Sequence, residues 1–268
     1  MTALLITLAL LAADGGGPRF EGSVAAGGGW DGALLIAPGA GSAGSAMGAV
    51  TATGGAGVEL GEVAFLYVGG VLDGARFPSL PELDRATAGA EATLLVDLVG
   101  PLALVVGGSG GWNWYADPAR SGASATARAS LRVRPLRWLA LRAGYGHTWR
   151  TALDPVYATS IDRVFGEVEF RPWSATWIAL SAFGESGDLT FYEEILPAAS
   201  ESGATAATTS VFLPYRAPAT TTGLGLGIEQ GLGAGISLDL GASLRRTRTP
   251  DGDVTGPSVN LGVTWRFD

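Results

Sequence analysis

Side chains able to do chemistry are scarce in this chain, and the scarcity is itself informative. There is no Cys, one His, and all 17 basic residues are Arg. Without Cys the chain has no disulfide, no thiolate metal site and no Cys nucleophile. The one imidazole, His147, precedes Thr148 and Trp149 and shares its strand face with Leu139, Leu141, Ala143 and Tyr145. Nothing in that local sequence can serve as its partner, so His147 reads as a structural residue. Glycines abound, but none opens a helix ahead of a Lys, so no phosphate loop is present. Asp251 and Asp253 are a weak signal for calcium. No metal site and no cofactor are expected.

The chemistry that remains is carried by charges at alternate positions. Glu91, Asp97, Arg128, Arg132, Arg134, Arg142, Arg163, Glu167, Glu169, Glu229, Asp239 and Arg245 sit on polar faces of segments whose other face is apolar. The segment 121–135 is the clearest case. Ala123, Ala125, Ala127, Ala129, Leu131 and Val133 alternate with Ser124, Thr126, Arg128, Ser130, Arg132 and Arg134. A period of two is the mark of a strand with two unlike faces. About twelve such segments follow one another, near 19–30, 43–54, 57–68, 86–98, 102–114, 121–134, 137–150, 160–171, 174–186, 218–230, 234–246 and 257–267.

Their connections alternate in length. Short turns are expected at Gly54–Gly57, Val99–Pro101, Arg134–Arg137, Arg171–Ser174 and Gln230–Gly235. Longer loops are expected near 31–42, 69–85, 115–120, 151–159, 187–217 and 247–256. Strict alternation of short and long connections is the habit of a transmembrane antiparallel up-and-down β-barrel, with turns towards the periplasm and loops outside. Composition agrees. The chain of 268 residues carries 42 Gly and only 16% charged residues, yet its mean hydropathy is a modest +0.29, because alternation gives half of each strand to a polar interior. No apolar run approaches the roughly 20 residues of a membrane helix. A net charge of −8 argues against nucleic acid as a partner.

Residues 1–13 form a short apolar stretch ending in Ala12-Ala13, read as a signal peptide and separated from a single barrel over 14–268. Aromatic residues gather near strand ends: Phe20, Phe170, Trp173, Trp265 and Phe267 towards the turns, and Trp30, Trp112, Trp114, Tyr145, Trp149 and Phe183 towards the loops. Two such bands suit the two headgroup levels of a bilayer.

The last strand resembles the C-terminal strand of bacterial outer-membrane β-barrel proteins. Asn260-Leu261-Gly262-Val263-Thr264-Trp265-Arg266-Phe267 follows a polar-x-Gly-x-x-hydrophobic-x-hydrophobic pattern, with Asp268 one residue beyond the usual aromatic end. In that class the pattern is read by the barrel-assembly machinery, so the resemblance implies that role for Asn260, Gly262, Trp265 and Phe267. It also implies an outer-membrane location in contact with lipid and lipopolysaccharide. Barrels of about twelve strands in the class include a phospholipase, solute-selective channels and autotransporter translocators. The phospholipase, like a smaller lipid A deacylase, places a Ser two residues after its His. Trp149 stands at that position here, so no enzyme activity is expected, and a lipid hydrolase is the least favoured reading. No autotransporter passenger is expected either, since the barrel segments fill the sequence.

The interior then decides function. Counting from the turns places Arg128 opposite Arg142 on the neighbouring segment, with Glu167 at a similar level. Segments 6 to 8 form an Arg-rich wall, while Glu91 and Asp239 lie at mid-height on other walls. Two arrangements remain open: a constriction whose opposed charges select a small polar or anionic solute, or a closed structural or adhesion barrel filled by paired charges. Small inward residues favour the narrow channel. The stretch 187–217, about thirty residues with Glu193, Glu194, Glu201, Phe191, Tyr192 and Phe212-Leu213-Pro214-Tyr215, is a candidate for entering the pore or capping its mouth, and Ala198–Ser210 reads as disordered. Unheated protein is expected to run at a different mobility from boiled protein in detergent gels, with circular dichroism dominated by strand.

Overall fold

A computed structural model describes residues 19–37, 41–195, 211–249 and 252–267. The expected signal segment 1–13 and the stretch 198–210 lie outside the described residues. Twelve strands follow one another: β1 Arg19–Ala37, β2 Gly41–Leu60, β3 Ala64–Arg76, β4 Arg85–Val99, β5 Leu102–Tyr115, β6 Gly122–Leu136, β7 Leu139–Arg150, β8 Thr159–Trp173, β9 Thr176–Ile195, β10 Val211–Gly233, β11 Ile236–Thr249 and β12 Gly252–Phe267. Each pairs antiparallel with its neighbours in sequence, and β12 closes onto β1 from Gly22↔Phe267 to Asp31↔Ser258. The result is an all-β, closed, up-and-down barrel, as alternation required.

The two faces invert the arrangement of a water-soluble protein. Leu224 is 66% exposed on the outer wall, and Leu72, Leu240, Val259 and Leu261 are likewise exposed there. On the inner wall Glu169 is only 5% exposed, and Ser45, Ser237 and Thr264 are buried with it. Apolar side chains point outwards all round the wall, which is stable only against a non-aqueous surround.

The β2–β3, β4–β5, β6–β7, β8–β9 and β10–β11 turns fall at one end, where Gly100 adopts φ +55 and Gly235 φ +74, a left-handed conformation that costs glycine nothing. At Gly235 a Cβ would also lie 2.1 Å from the Arg266 carbonyl oxygen. The other end carries taller hairpins, some with single 3-10 turns such as Pro118–Arg120 and Pro155–Tyr157.

Four expectations are corrected. The turn placed at Gly54–Gly57 lies instead between Leu60 and Ala64, around Gly61 at φ +71. Residues 39–57 are so uniformly small that alternation there could not mark a strand end. The turn placed at Arg134–Arg137 falls after Leu136, beyond a register shift between Val133 and Leu136. Pro135 lacks the N–H for a regular ladder and sits within that irregularity. Strand pairing also extends into the stretches expected as loops at 31–42, 187–217 and 247–256, at Leu35↔Ala43, from Arg216↔Thr190 to Val211↔Ile195, and at Thr249↔Gly252. Finally, Phe183 belongs to the interior and not to an aromatic band. It shares the face of Ser181 and Glu185, and its ring fills the space that a side chain at Gly223 would take.

A charge placed on the outer wall tests this orientation. Leu240→Arg, at mid-strand, is expected to destabilise the folded protein by about 2–4 kcal/mol in urea unfolding from lipid vesicles, whereas Ser109→Arg on the inner wall should cost far less.

Candidate functional site: the lumen and its mouth

One row of laterally paired residues organises the interior. It runs Asp97, Ala103, Arg132, Arg142, Glu167, Ser181, Gly225, Ser243, Ser258, Asp31, Ser45, each opposite the next on the adjoining strand. It begins two residues from the turn end of β4 and finishes near the far end of β2, because barrel strands tilt and are staggered. All members but Ala103 and Gly225 are polar.

Arg132 pairs with Arg142, and the expected Arg128–Arg142 opposition does not occur. Arg128 faces Gly146 instead, the consequence of the displaced turn. Two adjacent guanidiniums are tolerated because acids flank them on β8. Arg132 bonds Glu169 at 3.2 Å. Arg142 stands across the ladder from Glu167, donates to the Ser130 hydroxyl at 3.0 Å and lies over the Phe165 ring at 5.5 Å. Arg163 bonds Glu185 at 3.0 Å and stacks on Phe183 at 4.3 Å. The positive wall therefore draws its nearest acids from β8 and β9, one or two strands away, rather than from across the lumen.

Arg128 differs from these. It is exposed on the inner face and makes no ion pair among the described residues. Its neighbour on β5 is Gly107, where a Cβ would come within 3.3 Å of the Arg128 Nε. Ser109, also inward and exposed, faces Glu91 on β4. Exposed side chains on an inner wall require space in front of them, so the barrel is not filled at this level. Glu91 and Asp239 belong to other walls. Asp239 accepts from Thr264 at 2.6 Å beside the Arg266–Glu229 pair at 2.7 Å.

Sequence reading overlooked the inward aromatics. Phe165 alternates in step with Arg163 and Glu167, so parity alone could have placed it. On the outward face of β12, Trp265 and Phe267 pack with ring centroids 5.1 Å apart, while Asn260 and Gly262 alternate inwards, Gly262 opposite Gly27 of β1.

At the loop end, the β9–β10 hairpin packs against protein on both of its faces. Phe191 is 0% exposed and lies 5.8 Å from Tyr215, while Tyr192, on the opposite face, is also buried. Both faces of a hairpin are buried only where protein lies on both sides. On one side the Tyr192 hydroxyl meets Arg120, whose guanidinium also lies over Tyr157 at 4.4 Å, and Thr190 donates to the Val156 carbonyl at 2.9 Å. Elsewhere β9 approaches β1 within 8 Å, although β10, β11 and β12 separate them in the wall. Asp253, at a neighbouring hairpin tip, is tied to Arg246 and Arg248. The hydrogen bond from Arg246 holds its carboxyl below the usual carboxylate range. No group of metal-ligating side chains occurs among the described residues.

No family model matches this chain, and no curated protein matches it. Solved structures do. An outer membrane channel from Pseudomonas putida F1 superposes with a TM-score of 0.61 at 11% identity, covering 92% of this chain and 95% of that one. The fold is that of outer-membrane barrel proteins. The KdgM porin gives a TM-score of 0.52 at 6% identity, covering 92% of this chain and 99% of its own. At such identities the likeness is one of architecture, and function rests on the residues in the lumen.

Arg132→Ala leaves Glu169 buried beside Glu167 without its cation. It is expected to cost about 3 kcal/mol in equilibrium unfolding, whereas replacing both partners by Met and Leu should be nearly neutral.

Proposed function

We propose that this chain is an integral outer-membrane channel for small anionic solutes, closed at its outer mouth by the β9–β10 hairpin. The observation that carries this reading is Arg128, exposed towards an unfilled interior and without an ion-pair partner among the described residues. A cation left unpaired in a confined, partly dehydrated lumen attracts anions and repels cations. Arg142, one strand away and bound to a neutral hydroxyl, extends the same field. Gly107 lets the Arg128 side chain lie across β5, and the small, exposed Ser109 beside it leaves room for a solute. In this reading the exposed Leu and Val positions meet lipid and lipopolysaccharide, the aromatic bands sit at the headgroup levels, and Asn260, Gly262, Trp265 and Phe267 of β12 present the assembly signal. Arg128, Arg132, Arg142, Arg163, Glu167, Glu91 and Asp239 then line the path.

The hairpin makes conduction conditional. Tyr192 and Arg120 hold it across the mouth, so the open fraction depends on that contact. A hydrogen bond to a charged group contributes about 1.5 kcal/mol or more, roughly tenfold in the open population.

Planar-bilayer recordings test both parts. Wild-type protein should give rare steps with anion selectivity, Arg120→Ala about tenfold more frequent steps, and Arg128→Glu a reduced or inverted selectivity. Absence of conductance in wild type and in a variant with residues 190–215 replaced by a short turn would establish a closed structural barrel instead.

A further inference from the structure

The outer wall carries a polar cluster that the channel does not use. His147 of β7 stands directly across the ladder from Asp162 of β8, with Nδ1 2.7 Å from Oδ1. Its other nitrogen, Nε2, lies 3.1 Å from the Ser160 hydroxyl. Ser160 and Asp162 are two residues apart on one strand, so both point the same way as His147, outwards among Leu141, Ala143 and Val164. The Tyr145 hydroxyl also donates to Asp162, and the His147 ring packs on Trp149 with centroids 4.1 Å apart.

We propose that Ser160, His147 and Asp162 are a hydrolase triad on the membrane-facing wall, cleaving the fatty-acyl ester of an outer-leaflet amphiphile. The inference rests on the outer wall facing lipid and is independent of conductance. A Ser–His–Asp set is recognised by geometry and role, not by sequence order, and each role is filled. Asp162 accepts the Nδ1 proton and fixes the tautomer. Nε2 is then free to accept the Ser160 proton. Tyr145 and Trp149 hold the carboxylate and the imidazole ring in place. Residues that merely satisfied one another could have been apolar, as Leu141, Ala143 and Val164 on the same face are.

The position selects the substrate. Ser160 is the second residue of β8 and His147 lies three residues from the end of β7, at the level of the Tyr145 and Trp149 aromatic band. In a bilayer that band marks the boundary where acyl chains join their polar heads, which is where ester carbonyls lie. Asp188, across the ladder from Ser160, holds Arg216 at 2.7 Å. That places a guanidinium on the same face, two strands from Ser160, where it meets a lipid's anionic head. Glycerophospholipids and the acylated sugars of lipopolysaccharide both offer this chemistry, an acyl ester beside an anionic head.

In the reaction Ser160 Oγ adds to the ester carbonyl as its proton passes to His147 Nε2. The carbon–oxygen bond to the alcohol breaks, and that oxygen takes the proton from Nε2. Water then attacks the acyl-Ser160 ester, giving a proton to Nε2 that returns to Ser160 as the fatty acid leaves. Ester and water become acid and alcohol, with no redox change.

The test uses the folded full-length protein in mixed micelles, with two substrates in separate arms: phosphatidylethanolamine and purified lipopolysaccharide. A fluorophosphonate probe, located by peptide mass spectrometry, reports on the serine. The expected result is labelling at Ser160 and fatty-acid release in at least one arm, the productive arm identifying the lipid class. Release should fall by about 10⁴-fold or more in Ser160→Ala and Asp162→Asn, and labelling of Ser160 should fall in His147→Ala. Retained heat-modifiable gel mobility establishes that each variant is folded. No labelling and no release from folded wild type in either arm would overturn the proposal. So would release that persists in Ser160→Ala, or Ser160 labelling unaffected by His147→Ala.

Discussion

Backbone hydrogen bonding is the constraint from which the rest of this structure follows. In a hydrocarbon surround each unpaired N–H or C=O costs several kcal/mol, and a sheet avoids that cost only by having no edge. The pairing of β12 with β1 removes both edges at once. Once the sheet is closed, successive side chains must point alternately into lipid and into the lumen, which places Leu240 outside and Asp239 inside on consecutive residues. The high glycine content has its place here too, since tilted, staggered strands bring neighbouring chains together more closely than a Cβ allows at positions such as Gly27, where it would meet the Leu261 carbonyl at 2.6 Å.

Closure also shapes the electrostatics. Charged groups at membrane depth must be paired or hydrated, and lateral neighbours on adjoining strands are nearer than groups across the barrel. Arg163 therefore finds Glu185 on the next strand, while Arg132 finds Glu169 and Arg245 finds Asp31 at 2.6 Å by reaching past one strand. Arg128 escapes this rule because Gly107 and Gly146 flank it and the residues beyond them, Thr93 on β4 and Arg163 on β8, carry no negative charge. The unpaired cation is thus a product of local composition as much as of charge count.

Architecture was legible in the sequence because alternation is a local property, visible in Ser124 to Arg134 without knowledge of any other strand. Register was not. It depends on where each turn falls, and the irregularity at Pro135 displaced the partner of Arg142 from Arg128 to Arg132. The small-residue run before Gly57 suggested a turn where β2 in fact continues to Leu60, since Gly, Ala and Thr suit either face. Phe183 was misplaced by proximity to a strand end, although its parity with Glu185 pointed inwards. The neighbours of His147 show the same limit. A partner sought along β7 was absent, while Ser160, thirteen positions later in the chain and on β8, was brought beside it by pairing that only the structure supplies.

The polar row that starts at Asp97 and finishes at Ser45 does not lie at one depth. It winds around the barrel axis like a screw thread, gaining height with each strand. An ion travelling along the axis would meet these groups one after another, each from a new compass direction, rather than passing through a single ring. Exchanging one residue on such a thread changes one step of the passage and leaves those above and below it in place.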